Sequence, residues 1–479
     1  MLRRSGILAL LLSLPLLYAQ SLQAEIDALL DVEWLRYGFC GVVVRDVQTG
    51  ETLYTRDAER MLIPASNMKL LVTAAALHRL GPDYRFRTRV WLRGTLLPDG
   101  TLQGDLILQG LGDATLEMRG LESLAQQVRQ AGVQRVQGYL LYDDTWLDAE
   151  RYGFGWGSGD EPYGYQAQMS ALCAEQNAVR LYAKPAAQVG EPAQLRLEPD
   201  TDYVMLVNRT RTVPRDTPDT GISATRTRAR NQIIVEGTLP LGNEEVFVGR
   251  YSVETPPHYA AHLFRQALQV AGVSVEKGIV PRLDPSPYPE SGEISGIRLV
   301  AEHLSSPMRE VVMLINKPSD NLITEITLKV LGKELRGAGT TAAGVQVLRE
   351  FLQSAGLEMD AVHIVDGSGL SRINGVSAEN FVRLLVYMHR SLHAEAFRES
   401  LPVYGVDGTL RNRLRGTPVQ GNGFAKTGSL NRVSSLSGYL RTRSGRWLAF
   451  SIVMNAYNAS GTDARALQDK LVQLLWERL

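Results

Sequence analysis

Cysteine is nearly absent from this chain. Its 479 residues include two, Cys40 and Cys173. They could pair in an exported protein, but neither sits in metal-ligand spacing. The seven histidines form no His-Glu-x-x-His or similar cluster, so metal catalysis lacks its ligands and no metal or other cofactor is expected. An excess of either charge is also missing. Lys plus Arg and Asp plus Glu both number 51, which excludes a nucleic-acid binder held by net positive charge. Beyond the first two dozen residues no stretch has the length and apolarity of a membrane span, so no stable transmembrane anchor is expected. No cysteine follows the N-terminal apolar run to accept a lipid, and no internal repeat or low-complexity tract occurs.

What is present begins with Arg3-Arg4, the apolar run Ile7 to Leu17, and small or polar residues around Ala19, Gln20, Ser21 and Ala24. This is the pattern of a secretory signal over residues 1–24, with a retained anchor as the alternative. The protein is therefore expected to be exported, to a periplasm or the cell envelope. The length exceeds one ordinary core, and 44% apolar residues supply enough for two or three.

Helical periodicity at Leu22 to Leu35 is followed by two strand-like runs, Gly41 to Asp46 and Glu51 to Arg56. From about Tyr84 the character changes to a long series of strands and turns, with Leu121 to Ala131 as the chief helical interruption. The stretch Thr210 to Asn231, rich in threonine and arginine, reads as a long solvated hairpin, with a contact to an anionic envelope polymer as the alternative, and Gly153 to Tyr165 as a loop rich in glycine and aromatics. Helical patterns return at His258 to Val270 and dominate from Met308 to Glu399. Phe424 to Thr442 and Arg446 to Ala456 then read as long strands before a final helix capped by Thr462-Asp463. Strands between two helix-rich ends point to an insertion within one domain.

Three short strings carry the chemistry. In Pro64-Ala-Ser-Asn-Met-Lys69, Ser66 falls in the first turn of a helix that runs to Gly81-Pro82, and Lys69 stands on the same face. Alone, Ser66 is a helix cap and Lys69 a surface residue. A serine becomes a nucleophile only if a base takes its proton, and a lysine is that base only where burial or nearby positive charge lowers its pKa. Ser319-Asp320-Asn321, opening a helical run, adds a hydroxyl to relay a proton and an amide to hold Lys69 or a substrate carbonyl. Lys426-Thr427-Gly428, on a strand, adds a cation and a hydroxyl for a carboxylate, with Gly428 leaving room for a peptide along the strand. A second Ser-x-x-Lys at Ser274 to Lys277 lies in a β-branched stretch and reads as strand surface.

The ordered set Ser-x-x-Lys, Ser-Asp-Asn, Lys-Thr-Gly is the signature of penicillin-binding proteins and class A β-lactamases. Together with Gly104 to Asp113, Asp366-Gly-Ser-Gly-Leu-Ser-Arg372, Leu401-Pro402, Asp407-Gly408 and Ala425 to Leu430, it makes the chain resemble the class C low-molecular-mass penicillin-binding proteins. These are D-alanyl-D-alanine carboxypeptidases and endopeptidases with large inserted domains. The resemblance implies an α+β fold: a β-lactamase/transpeptidase-like domain of five-stranded antiparallel sheet with helices, residues 25–86 and 289–479. It also implies two mainly β insertions, one over 87–107 and 164–288 and one nested at 108–163.

By position the resemblance makes Ser66 the acylated nucleophile, Lys69 its base, and Ser319 and Asn321 the proton relay. Lys426 and Thr427 would hold the terminal carboxylate, with Gly428 beside them. The backbone N–H groups of Ser66 and Ser429 would form an oxyanion hole. Asp143, or its neighbour Asp144, matches an aspartate that meets the free amine of the stem-peptide side chain; otherwise both simply end a strand at a turn. Asn431 and Leu111 depart from the expected pattern without touching these groups.

The implied activity is penicillin-sensitive D,D-peptidase action on peptidoglycan stem peptides, with β-lactams as covalent inhibitors. A serine β-lactamase is the rival enzyme, but no Glu-x-x-Leu-Asn string occurs from Leu322 to Ala425. A catalytically silent peptidoglycan-binding protein is the rival from another class, opposed by the intact motif residues.

Overall fold

Val42, Val43 and Val44 are fully buried, as β-branched residues of a strand covered on both faces should be. Their strand, Phe39–Asp46, lies in a five-stranded antiparallel sheet in the computed structural model, which describes residues 22–479 except 243, 284–286, 291 and 295. The sheet runs in the order Thr52–Arg56, Phe39–Asp46, Trp447–Asn455, Val433–Arg441 and Gly423–Leu430. Both ends of the chain thus build one sheet. Because side chains alternate across a strand, Val42 and Val44 face a core shared with Leu22, Ile26, Leu467 and Leu471. Gly41 faces the other way, toward Ala378 at the start of helix Ala378–Arg390. The expected signal lies outside the described residues except for its last three, which open a helix over 22–30.

Phe424 to Thr442 is not one strand. Arg432 takes a left-handed φ of 58° and folds the run into the hairpin Gly423–Leu430 and Val433–Arg441. The apolar run after Ser66 forms helix Met68–Arg79, buried from Met68 through Leu77. A helix apolar on every side belongs inside a domain, and this one ends at Leu80 before Gly81, whose φ is 91°.

The chain divides into two compact units. The first comprises the chain up to Asp83, Met308–Asp320 and Val345–Leu479; the second comprises Tyr84–Pro307 and Asn321–Gly344. The unit boundary falls after Pro307 because strand Ile297–Leu304 pairs antiparallel with Arg87–Leu96. Residue 107 lies inside strand Thr101–Leu111, which pairs with Arg87–Leu96 along its length, so no change of sheet occurs there. This eight-stranded sheet is joined in the second unit by two three-stranded sheets and by helices Met118–Gln130 and Pro256–Val270.

The arginine-rich stretch is not a hairpin. Met205–Val213 and Ile222–Arg226 both pair with Gln232–Pro240, the first in parallel and the second antiparallel. Arg226 is buried and bonds Glu161 and Glu254, while the neighbouring arginines stay exposed. Ser274–Val275 is a short strand, as its β-branched surroundings predict.

Cys40 lies in the first unit and Cys173 in the second, and both are free and buried. Burial pushes each thiol up to about 12, which makes both inert near neutral pH.

Candidate active site

Ser66 is presented by a single 3-10 turn, Ala65–Asn67, that leads into helix Met68–Arg79. Ala65 takes a left-handed φ of 48°, a conformation that costs a non-glycine residue about 1 kcal/mol and persists only where its surroundings impose it. Those surroundings are identifiable. Asn455 accepts from Ile63 N at 2.8 Å and donates to Ile63 O at 3.0 Å. Ser435 Oγ donates to Pro64 O at 2.6 Å, and Asn67 Nδ2 donates to Ser437 Oγ at 2.6 Å. The loop is therefore fastened to the two central strands on both sides of Ser66.

Lys69 is fully buried. Its Nζ donates to Ser66 Oγ at 2.9 Å and to Ser368 O at 2.7 Å. Ser368 belongs to the glycine-rich loop that follows Val365. Buried Asp366 builds that loop: its carboxylate accepts from Gly369 N at 2.9 Å, Ser371 N at 2.7 Å and Asn374 Nδ2 at 2.6 Å. Gly369 has a φ of 82°, and a Cβ there would stand 1.9 Å from Ala65 O. Only glycine lets the loop lie against the Ser66 turn.

Lys426, also fully buried, donates from Nζ to Ser319 Oγ at 2.9 Å and to Thr427 O at 2.9 Å. Burial, and then the Lys69 ammonium nearby, holds the Lys426 ammonium well below the usual lysine range. Ser319 takes a left-handed φ of 66°. Two ties fix the segment before it. Asn316 Nδ2 donates to Thr73 Oγ1 at 3.2 Å and to Ser400 Oγ at 2.8 Å. Lys317 pairs with Asp407 at 2.5 Å, and its carbonyl accepts from Thr409 N at 3.1 Å. Thr409 in turn accepts from Thr427 Oγ1 at 2.7 Å. The first unit thus brings Ser66, Lys69, Ser319, Lys426 and Thr427 into one linked network.

The space that Gly428 leaves empty is taken from within the domain. A Cβ there would stand 2.2 Å from Ser435 Oγ, 2.8 Å from Pro64 O and 2.9 Å from Ser66 N. The strand and the Ser66 turn can approach only because this position has no side chain. Ser429, the next residue, is exposed on the edge strand.

Asn321 and Asp143 belong to the second unit. Asn321 opens helix Asn321–Arg336 and its Nδ2 donates to Tyr165 O at 2.7 Å. Asp143 ends strand Leu140–Asp143 with its carboxylate enclosed. One oxygen accepts from Thr145 N at 2.9 Å and Thr145 Oγ1 at 2.7 Å; the other accepts from Arg282 Nη1 at 2.9 Å and Tyr288 OH at 2.6 Å. Burial raises its pKa, but the bonds from Tyr288, Thr145 and Arg282 outweigh burial and hold it below the usual carboxylate range. Asp144 pairs with Arg151 at 2.6 Å. The exposed carboxylate of the nearby glycine-aromatic loop is Asp160, which accepts from Tyr165 OH at 2.7 Å.

Among the described residues, no group of three or more His, Cys, Asp or Glu side chains could hold a metal ion. Sequence reasoning missed Asp366, Ser368, Thr409, Ser435 and Asn455 as parts of the site. The Asp366 to Arg372 string held the only signal for two of them, Asp366 and Ser368.

A profile of the D-Ala-D-Ala carboxypeptidase 3 (S13) family matches residues 22–478. The D-alanyl-D-alanine carboxypeptidase of Actinomadura sp. (strain R39) is 39% identical over 467 residues, covering 95% of this chain and 84% of that protein. The crystal structure of penicillin binding protein 4 from Haemophilus influenzae superposes with a TM-score of 0.78 at 22% identity, covering 94% of this chain and 98% of that one. A complex of that protein with a β-lactam gives 0.73 at 23% identity over the same shares. With a profile that spans the described chain almost from end to end, this protein belongs to the D-Ala-D-Ala carboxypeptidase 3 (S13) family of serine peptidases.

Proposed function

We propose that this protein is a serine D-alanyl-D-alanine carboxypeptidase, and a D,D-endopeptidase on cross-linked stems, that works through an acyl-enzyme on Ser66. The observation that carries the reading is the 2.9 Å bond between Ser66 Oγ and the amine of fully buried Lys69. In its neutral form that amine takes the hydroxyl proton as Oγ attacks the carbonyl carbon of the penultimate D-alanine. The negative charge that develops on the carbonyl oxygen is met by the N–H groups of Ser66 and Ser429.

Collapse of this intermediate breaks the C–N bond, and Ser319, two residues before Asn321, relays the proton held by Lys69 to the leaving amine. Free D-alanine leaves in the carboxypeptidase reaction, and the amine of a neighbouring stem in the endopeptidase reaction. Water then attacks the ester and gives its proton to the again neutral Lys69, which returns it to Ser66 Oγ as the ester bond breaks. Lys426 and Thr427 hold the terminal carboxylate, and the close approach at Gly428 keeps the two oxyanion donors together. Asp143 is assigned instead to holding the second unit, since Arg282, Tyr288 and Thr145 occupy its carboxylate.

β-Lactams would acylate Ser66 by the same attack, with the leaving nitrogen still tethered. The N-terminal pattern supports export, and among the described residues no helix is long and apolar enough to cross a membrane. A fluorescent penicillin should label the protein covalently, with D-alanine released from a stem pentapeptide. Labelling that persists in Ser66→Ala would overturn the assignment.

A further inference from the structure

The edge strand that carries Lys426 to Ser429 points somewhere. On the proposed reading, Lys426 and Thr427 take the substrate's terminal carboxylate and Ser429 N the scissile carbonyl. The acyl portion of the substrate, which leads back toward its sugar, then continues along the strand past Leu430 toward the turn at Asn431 and Arg432.

Beyond that turn lies a cavity of about 510 Å³, lined among others by Glu33, Trp34, Tyr37, Arg432 and Asn458. All belong to the same unit as Ser66. Tyr37 is 86% exposed, with the Arg36 guanidinium 5.5 Å from its ring centre. Trp34 is held in place. Its ring meets Tyr457 edge-on at 5.9 Å, and its carbonyl accepts from Asn458 N at 2.8 Å. Arg432 is equally fixed, donating to Tyr457 O at 2.9 Å and Ala456 O at 3.0 Å. An open tyrosine, an anchored tryptophan, a carboxylate, a guanidinium and an amide around one cavity suit a ligand with apolar C–H faces and a rim of hydroxyl and amide groups. That is the chemistry of an N-acetylated sugar.

The reach agrees. Ser429 pairs with Ser434, Ser434 with Met454, and Met454 with Cys40, so the start of the first strand lies three strand spacings from Ser429. At about 4.8 Å per spacing the cavity mouth is roughly 15 Å away. About four extended residues, at 3.3–3.6 Å each, span a similar distance.

We propose that the Trp34–Tyr37 cavity is a glycan subsite, which binds the N-acetylated sugar attached to the stem peptide while its D-alanyl end occupies the Ser66 site. The inference rests on the D,D-peptidase reading and is tested so that the two fail separately. Release of D-alanine is measured from a free stem pentapeptide and from the same pentapeptide carrying its disaccharide, with wild type and Tyr37→Ala. The wild type should show a lower KM for the sugar-bearing substrate. Tyr37→Ala should raise that KM about five- to tenfold and leave KM for the free peptide and kcat for both unchanged. Equal KM changes on both substrates, or none, would overturn the subsite.

If the wild type releases D-alanine from neither substrate, the activity reading fails and calorimetry with the free N-acetylated disaccharide decides the subsite alone. Binding to the wild type that is lost in both Tyr37→Ala and Glu33→Gln supports it. No binding to the wild type, or binding indifferent to both substitutions, overturns it.

Discussion

A Cβ on Gly428 would lie 2.9 Å from the backbone nitrogen of Ser66. The two groups belong to strings 362 positions apart, and their contact sets the separation of the proposed oxyanion donors. Gly428→Ala should therefore spread those donors without removing a catalytic side chain. Penicillin acylation is expected to slow about 100-fold, the scale of losing one oxyanion donor. Stopped-flow labelling rates beside an unchanged circular dichroism spectrum are the check.

Lys69→Met keeps the length of the side chain and removes the amine. Acylation should fall by at least about 1,000-fold. The substitution takes a buried donor from Ser66 Oγ and Ser368 O, at a cost of about 1–3 kcal/mol. The melting temperature should fall by a few degrees while labelling disappears, and a variant that still labels at the wild-type rate would remove Lys69 from the reaction.

Lys426 carries a pH prediction. Its folded pKa is lowered by burial and by Lys69, so between that value and the ordinary lysine pKa the unfolded chain holds more protons than the folded one. Stability from this group therefore rises with pH across the window. A carboxylate bound beside Lys426 favours the ammonium and raises the pKa again. Binding of a D-alanyl peptide to Ser66→Ala at alkaline pH should take up protons, seen as a dependence of the calorimetric heat on buffer ionisation enthalpy. Lys426→Met should abolish that dependence.

Asp366→Ala leaves Gly369 N, Ser371 N and Asn374 Nδ2 without their buried acceptor. A cost of about 3–5 kcal/mol is expected in chemical denaturation. Because the same loop supplies Ser368 O to Lys69, acylation should fall as well. Asp366→Asn keeps one acceptor and should recover part of both.

Asp143→Ala separates a structural carboxylate from a substrate contact. It takes from Arg282 Nη1, Tyr288 OH and Thr145 their shared buried acceptor and should destabilise the protein by about 2–4 kcal/mol, while KM for a stem peptide with a free side-chain amine stays unchanged in the folded fraction. The pH sign follows from its lowered pKa. Its stabilising contribution is present above the unfolded value and is lost as pH falls through the folded one. A rise in KM confined to amine-bearing substrates would restore Asp143 as a substrate contact.

The sequence was most informative where chemistry is compressed into short strings. Ser66 and Lys69 sit one helical turn apart, and Lys426 and Thr427 are neighbours, so local periodicity suffices to put each pair together. The site's supports were illegible for the opposite reason. Ser368 contributes a backbone carbonyl, Asn455 an amide from a strand far along the chain, and Ser435 a hydroxyl indistinguishable from any other serine. The hairpin at Arg432 was missed because only two residues, Asn431 and Arg432, separate its strands, with neither glycine nor proline to mark the turn. Arg226 was read with its neighbours as a surface charge, since burial of one arginine in a basic run depends on Glu161 and Glu254, which are distant in sequence. Asp143 looked available because a carboxylate after a strand gives no sign that an arginine some 140 residues later encloses it.

The strand Phe39–Asp46 is paired on one side with Thr52–Arg56 and on the other with Trp447–Asn455. During synthesis the Ser66 helix emerges early, but three of the five strands it rests on are made last. For most of the ribosome's passage the serine has neither the proposed carboxylate clamp nor the proposed second oxyanion donor. Long-range pairing of this kind is slow to form, so a nascent or truncated chain carries the proposed nucleophile without the strands that complete the site around it.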